Sequence, residues 1–284
     1  MDEIPIPEYL VRTCAESADR AAWLGQLPAT IRHLRQKWSL TLARPFEADA
    51  SASWVAPCVQ EDGSPAVLKI GLPHMEAHSE IDGLLFWNGN PTVSLLESDS
   101  GLNAMLLERC LPGTHLRTLP EDEQDQVVAE MLKRLWRRPT GPHPFRELGE
   151  MIAEWNRETS EERERWPEPE LAKEGIAIRK ELAANAPGAV TLATDLHAGN
   201  ILRAEREPWL VIDPKPFLGD PAYDATQHLL NCKGRLERDP RGTIFRFAEL
   251  LEIDYQRIRL WVFARLASES DGSNQALARK VEQA

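Results

Sequence analysis

The sequence predicts an α+β protein of two lobes: a β-rich first lobe over residues 1–108, a hinge at 109–113, and a mainly helical second lobe over 114–284. Three observations predict it. Apolar runs of strand length, separated by turn residues, are concentrated before residue 109. Leu111-Pro112-Gly113 then breaks the pattern. Beyond it apolar residues recur at helical intervals, interrupted by two short strand-like runs, Val190–Ala193 and Trp209–Ile212.

The first lobe opens on residues 1–38, where Leu10, Val11, Cys14, Trp23, Leu24, Leu27, Ile31 and Leu34 recur at helix-like spacing. Ser53–Val59 and Ala66–Ile70 read as two strands joined by Glu61-Asp62-Gly63-Ser64, whose Asp-Gly pair suits a hairpin turn. A helix follows from Pro73, carrying Glu76, Glu80, Leu84, Leu85 and Trp87 and stopped by Gly89 and Pro91. Two more strands are expected near Pro91–Leu96 and Ala104–Glu108. In the second lobe Glu121–Trp136 reads as a helix ended by the Pro/Gly-rich stretch Pro139–Pro144. Residues 145–186 read as helical with one break at Trp166-Pro167-Glu168-Pro169, and the charges from Arg157 to Arg165 as a solvated face. Helices resume from about Ala222.

Bulk composition narrows the function class. With 42% hydrophobic and 27% charged residues, the 284-residue chain is balanced for a globular core. A formal net charge of −12 lacks the basic stripe that nucleic-acid binding needs, and it favours a cationic small molecule as substrate. The four cysteines, Cys14, Cys58, Cys110 and Cys232, form no C-x-x-C pair, so neither zinc spacing nor a disulfide framework is expected. Asp2 and Glu3 stand where a secretory leader would be basic, and no apolar run approaches the ~18 residues that span a bilayer. The expectation is a cytoplasmic protein without a membrane partner, a monomer or weak dimer.

The chemistry is carried by Thr194-Asp195-Leu196-His197-Ala198-Gly199-Asn200-Ile201-Leu202 and by Trp209-Leu210-Val211-Ile212-Asp213-Pro214-Lys215. Asp195 and Asn200 have the D-x-x-x-x-N spacing of a kinase catalytic loop. A second acid, Asp213, ends the following strand-like run. Phosphoryl transfer needs a carboxylate to position the attacking hydroxyl and take its proton, and an amide oxygen and a second carboxylate to hold Mg²⁺ against the phosphates.

Together these segments resemble the signature of the aminoglycoside phosphotransferases. The continuation Pro214–Asp224, with its Gly219-Asp220-Pro221-Ala222-Tyr223-Asp224 run, resembles the streptomycin 6-kinase and hydroxyurea phosphotransferase branch. The resemblance covers about residues 40–265 and implies the bilobal protein-kinase-like fold, with Asp195 as catalytic base and Asn200 and Asp213 as metal ligands. It implies Lys69, on the strand returning from the hairpin, as the phosphate-binding lysine, with Glu80 as its partner in preference to Glu76. It also implies that backbone groups of Arg109, Cys110 and Leu111 meet the adenine, and that Ser51 and Ser53 lie in the phosphate-covering loop near Ala48–Ser53. Asp220 is expected to brace the metal loop and Asp224 to open a helix. One departure stands out: Ala193-Thr194 replace the His-Gly that usually precedes the catalytic acid, removing a supporting hydrogen bond. His197 is expected to orient the loop.

On this resemblance the chain is an ATP- or GTP-dependent, Mg²⁺-requiring kinase of an aminoglycoside-like antibiotic. Glu158, Glu161 and Glu162 belong to an acidic region that either contributes to the cationic acceptor's cleft or is simply part of the solvated face. The alternatives are a kinase of a hydroxyurea-like compound or metabolite, and a nucleotide-binding pseudokinase. Trp155 and Trp209 are not expected to form an aromatic platform.

Overall fold

The computed structural model describes residues 5–47, 52–72, 79–162, 164, 166–268 and 272–284. The chain divides into two compact units, Met1–Gly113 and Thr114–Ala284.

The first unit is built on an antiparallel sheet. Helices α1 (Glu8–Cys14) and α2 (Ala18–Lys37) precede strands β1 (Thr41–Leu42), β2 (Ser53–Val59) and β3 (Pro65–Gly71); then come α3 (Glu80–Trp87), β4 (Leu95–Asp99) and β5 (Ala104–Glu108). The sheet order is β1-β2-β3-β5-β4, which makes β3 the central strand. The Asp-Gly turn sets its register: Gly63 takes a φ of +87°, the Asp62 carboxylate accepts from the Ser64 N–H at 2.8 Å, and Val59 faces Pro65. Alternation along β3 then sends Ala66, Leu68 and Ile70 into a core shared with Leu10, Cys14, Leu27, Ile31 and Leu34 of the two helices. Each such leucine or isoleucine contributes roughly 1.5–3 kcal/mol by leaving water. The same alternation turns Lys69 and its cross-strand neighbour Met105 to the opposite face.

Two local expectations need correction here. The helical region is two helices, because Ser17 leaves the helix and caps α2, accepting from the Arg20 N–H at 3.3 Å. The strand expected from Pro91 starts at Leu95 and runs to Asp99, since proline has no N–H to give a ladder. Strand β1, two residues long, has no sequence signal. Helix α3 stops at Asn88, whose left-handed φ of 48° precedes Gly89. The expected start of that helix, including Glu76, lies outside the described residues.

The second unit contains α4 (Glu121–Leu135), α5 (Leu148–Glu162) and α6 (Pro169–Ala184), followed by β6 (Val190–Leu192), β7 (Ile201–Arg203), β8 (Trp209–Val211) and β9 (Phe217–Gly219). Helices α7 (Pro221–Asn231), α8 (Lys233–Arg238), α9 (Pro240–Leu251), α10 (Tyr255–Ser268) and α11 (Gly272–Glu282) complete it. The strands form two antiparallel pairs, β6 with β9 and β7 with β8. Strands β7 and β9 depart from expectation: Ile201–Arg203 reads as the end of a loop, and three residues are too few for an alternation pattern. Helix α10 is the centre of the unit, buried continuously from Trp261 to Ser268 and packed on α6, α7, α9 and α11. Gly175 of α6 permits that approach, because a Cβ there would sit 2.9 Å from the Ala264 carbonyl oxygen. Among the described residues no helix is long and apolar enough to cross a membrane.

Candidate active site

The loop between β6 and β7 is held from beneath by α7. Asp224, in the first turn of α7 and fully buried, accepts from the backbone N–H groups of Ala193 at 2.9 Å and Thr194 at 2.8 Å, and from Trp136 Nε1 at 3.1 Å. Burial pushes its carboxyl up to about 6, with those three donors pulling the other way. Asp220 does the other job. As N-cap of α7 it accepts from the Ala222 N–H at 3.1 Å, and its Oδ2 takes Arg257 Nε at 2.6 Å and Trp261 Nε1 at 2.5 Å. Asp220, expected to brace the metal loop, is instead the cap of α7, while Asp224, in the first turn of that helix as expected, also holds the loop that carries Asp195. Pro221 occupies the first helical position, which leaves Asp220 outside the helix as the cap and places Asp224 under the loop.

Thr194 takes a φ of +42°, in the left-handed region where glycine is the ordinary choice. Its hydroxyl donates to the Lys215 carbonyl at 2.7 Å, and the Lys215 N–H donates to the Ala193 carbonyl at 3.0 Å. The stretch after Asp213 is thus stitched to the exit of β6.

Both oxygens of Asp195 are held. Oδ2 accepts from Lys215 Nζ at 2.6 Å and Oδ1 from Gln227 Nε2 at 2.7 Å, the first side chain coming from the post-Asp213 segment and the second from α7. His197 accepts the Gly199 N–H on Nδ1 at 3.0 Å, which leaves the proton on Nε2, and burial lowers the imidazole's pKa. Gly199 suits that contact, because a Cβ would come within 2.6 Å of the ring. On its other side the Gly199 carbonyl accepts from His115 Nδ1 at 2.7 Å.

The β7–β8 register sets Asn200 opposite Ile212, one residue before Asp213. Ile201 faces Val211, the Ile212 N–H donates to the Asn200 carbonyl at 2.9 Å, and Asp213 follows with a φ of +53°. Asn200 Nδ2 donates to the Asp195 carbonyl at 3.0 Å, so the amide oxygen is the atom turned away from that bond. One carboxylate and one amide oxygen are hard donors, a set that fits Mg²⁺, which takes few protein ligands and completes its shell with phosphate and water. Among the described residues no group of three or more His, Cys, Asp or Glu forms a self-sufficient metal cage.

In the first unit Lys69 Nζ donates to both Oε1 and Oε2 of Glu80 at 2.7 Å, with both residues buried. Arg109, Cys110 and Leu111 follow β5, with Cys110 buried and Arg109 and Leu111 half-buried. Ser53 is the first residue of β2, and its carbonyl accepts from the Tyr9 hydroxyl at 3.0 Å. Residues 48–51, including Ser51, lie outside the described residues.

The acidic region divides. Glu161 is exposed and pairs with Arg157 at 2.8 Å, whereas Glu158 and Glu162 line a cavity of about 430 Å³ with Trp155, Trp166 and Asn274. Trp155 thus lines a cavity together with a second indole, which its sequence neighbours do not disclose. Lys215 stands in the Asp-Pro-Lys run, but nothing in that run signals its reach to Asp195. Gln227 and Arg265 carry no sequence signal at all.

Residues 37–275 match the family model of the aminoglycoside/hydroxyurea antibiotic resistance kinases. The chain belongs to that family. It is 34% identical over 275 residues to a streptomycin 6-kinase of Streptomyces glaucescens, covering 93% of this chain and 89% of that protein. It is 35% identical over 270 residues to a hydroxyurea phosphotransferase of Kitasatospora aureofaciens, covering 93% and 78%. Among solved structures, the choline kinase LicA of Streptococcus pneumoniae superposes with a TM-score of 0.61 at 12% identity, covering 89% of this chain and 91% of that one. The amicoumacin kinase hAmiN, solved with AMP-PNP and Ca²⁺, gives 0.55 at 13% identity, covering 90% and 92%. The fold is the α+β protein-kinase-like fold, and this resistance kinase is a phosphotransferase.

Proposed function

We propose that this family member transfers the γ-phosphoryl group of Mg²⁺-bound ATP or GTP to a hydroxyl of a cationic, streptomycin-like aminocyclitol antibiotic in the cytoplasm. The observation that carries the reading is the catalytic-loop geometry: Asp195 is held at both oxygens, Asn200 bonds the Asp195 carbonyl, and Asp213 follows Ile212, whose N–H bonds the Asn200 carbonyl. Asp195 orients the acceptor hydroxyl and takes its proton as the new O–P bond forms and the bond from phosphorus to the bridging oxygen breaks. Asn200 Oδ1 and the Asp213 carboxylate would hold the Mg²⁺, which neutralises phosphate charge when bound. Lys69, paired with Glu80, is the phosphate-binding cation, and the backbone of Arg109, Cys110 and Leu111 receives the purine. The cavity lined by Glu158 and Glu162 supports a cationic acceptor, since its two carboxylates outnumber its one cation, Arg179, whose guanidinium is engaged by Asn156 and Thr159.

The identity to a hydroxyurea phosphotransferase favours a second reading with a small neutral acceptor. Salt separates the two. With saturating nucleotide, the acceptor KM for a polycation should rise steeply from low to ~1 M salt, as the Debye length falls to ~3 Å. A KM that stays flat for every accepted substrate would remove the cationic-antibiotic reading and favour the neutral one.

A further inference from the structure

Asp195 is oriented by more than its own loop. Gln227 Nε2 donates to Asp195 Oδ1 at 2.7 Å, Gln227 Oε1 accepts from Arg265 Nη2 at 2.9 Å, and Arg265 Nη1 donates to Thr226 Oγ1 at 2.7 Å. Arg265 belongs to the buried stretch of α10, and its guanidinium lies 5.2 Å from the Tyr223 ring centroid. A guanidinium can only donate and an ionised carboxylate can only accept. The Gln227 amide between them therefore has one allowed orientation, oxygen to Arg265 and NH₂ to Asp195. We propose that Gln227 and Arg265 are positioning residues for phosphoryl transfer: Arg265 fixes the polarity of the Gln227 amide, and the amide fixes the rotation of the Asp195 carboxylate. With Lys215 on Oδ2, the carboxylate plane is pinned at both ends, and the lone pairs left over are presented in one direction. The proposal rests on Asp195 being the catalytic carboxylate, and the experiment is chosen to separate the two.

Gln227→Glu is the discriminating change. It keeps an acceptor for Arg265 and adds charge to that pair, but it removes the donor to Asp195 and puts a second carboxylate against the first. If Gln227 only ties α7 to α10, this variant should be as stable and as active as the parent. On the positioning assignment the fold survives, because the added charge pairs with Arg265 while repelling Asp195 and the two effects oppose each other, and kcat falls by ~10–10²-fold, the scale of a misplaced reacting group. Nucleotide KM should move less than about threefold, because Gln227 touches neither phosphate nor metal ligand. Gln227→Met, which keeps the length without a charge, should lose kcat on the same scale. Adding Arg265→Met to Gln227→Met should then cost nothing further in kcat, whereas independent roles would multiply. In an Asp195→Asn background both Gln227 changes should be silent. Wild-type kcat in Gln227→Glu and Gln227→Met, or multiplicative losses in the Arg265 double variant, would overturn the inference while leaving Asp195 in its role. Full turnover in Asp195→Asn alone would instead overturn the reading beneath it.

Discussion

Asp224 puts a carboxylate with no exposed surface under the loop that carries Asp195, and its cost can be measured through pH. Its carboxyl stands at about 6 in the fold against an ordinary value of 3.8. That difference in proton affinity corresponds to about 3 kcal/mol. The change is upward, so the native state holds the proton more tightly than the unfolded chain. The stabilising contribution is full below the unfolded value and is lost as pH rises through 6. Asp224→Asn removes the titration while keeping the shape. Measured against the parent by urea unfolding at a series of pH values, the variant should gain on it as pH rises. About 2 kcal/mol of relative gain falls between pH 4 and pH 7.5, since part of the effect is already expressed at pH 4. Other titrating groups are common to both proteins and cancel in the difference. The variant also has one amide oxygen for the two loop N–H groups, so kcat should drop roughly tenfold even where the fold is secure. A difference that is flat in pH, or that runs against the variant as pH rises, would refute the reasoning. It would mean that the three N–H donors outweigh burial and stabilise the anion.

Two further predictions concern the same loop. Asp213→Ala should abolish metal-dependent nucleotide affinity in calorimetry, and Asn200→Ala should weaken it less, because water replaces an amide oxygen more readily than a carboxylate; unchanged affinity in Asp213→Ala would remove that residue from the metal site. At Thr194, Gly relieves the left-handed backbone and loses the bond to the Lys215 carbonyl, while Val loses the bond and keeps the strain. Thr194→Gly should therefore be more stable to unfolding than Thr194→Val by at least ~1 kcal/mol, and the reverse order would deny that the φ of +42° is held against a cost.

The sequence is most legible where one local rule dominates. The Asp-Gly hairpin and the strands Ser53–Val59 and Pro65–Gly71 are readable because turn chemistry and apolar runs agree there. Asp195, Asn200 and Asp213 stand out as a group because the chemistry proposed for them would fix residue type and spacing. Strands β7 and β9 are not, since their three residues are strands only through a partner distant in sequence, Val211 for Ile201 and Val190 for Gly219. The contacts of Gln227 and Arg265 are hidden for the same reason: 32 residues separate Gln227 from Asp195 and 38 separate it from Arg265. Asp220 and Asp224 are recognisable as structural acids, but their roles depend on which residue begins α7, a boundary that differs by only a few residues between the two assignments.

That boundary explains how an irregular loop becomes a precise one. Once Pro221 starts the helix, Asp224 and Gln227 stand three positions apart on one face of α7, one taking the loop's backbone N–H groups and the other Asp195 itself. Helix α10 supplies a partner at each level: Arg257 and Trp261 on Asp220 at the start of α7, and Arg265 on Gln227 further along. The spacing of 257, 261 and 265 is the four-residue repeat of one helical face, so two packed helices present matched rows of polar groups. A loop with a left-handed Thr194 at its start and a left-handed Asp213 beyond its end has little local preference for its own shape. Its geometry is set by the helix pair, and a loop held by regular elements keeps the Asp195 carboxylate in place when the loop alone would not.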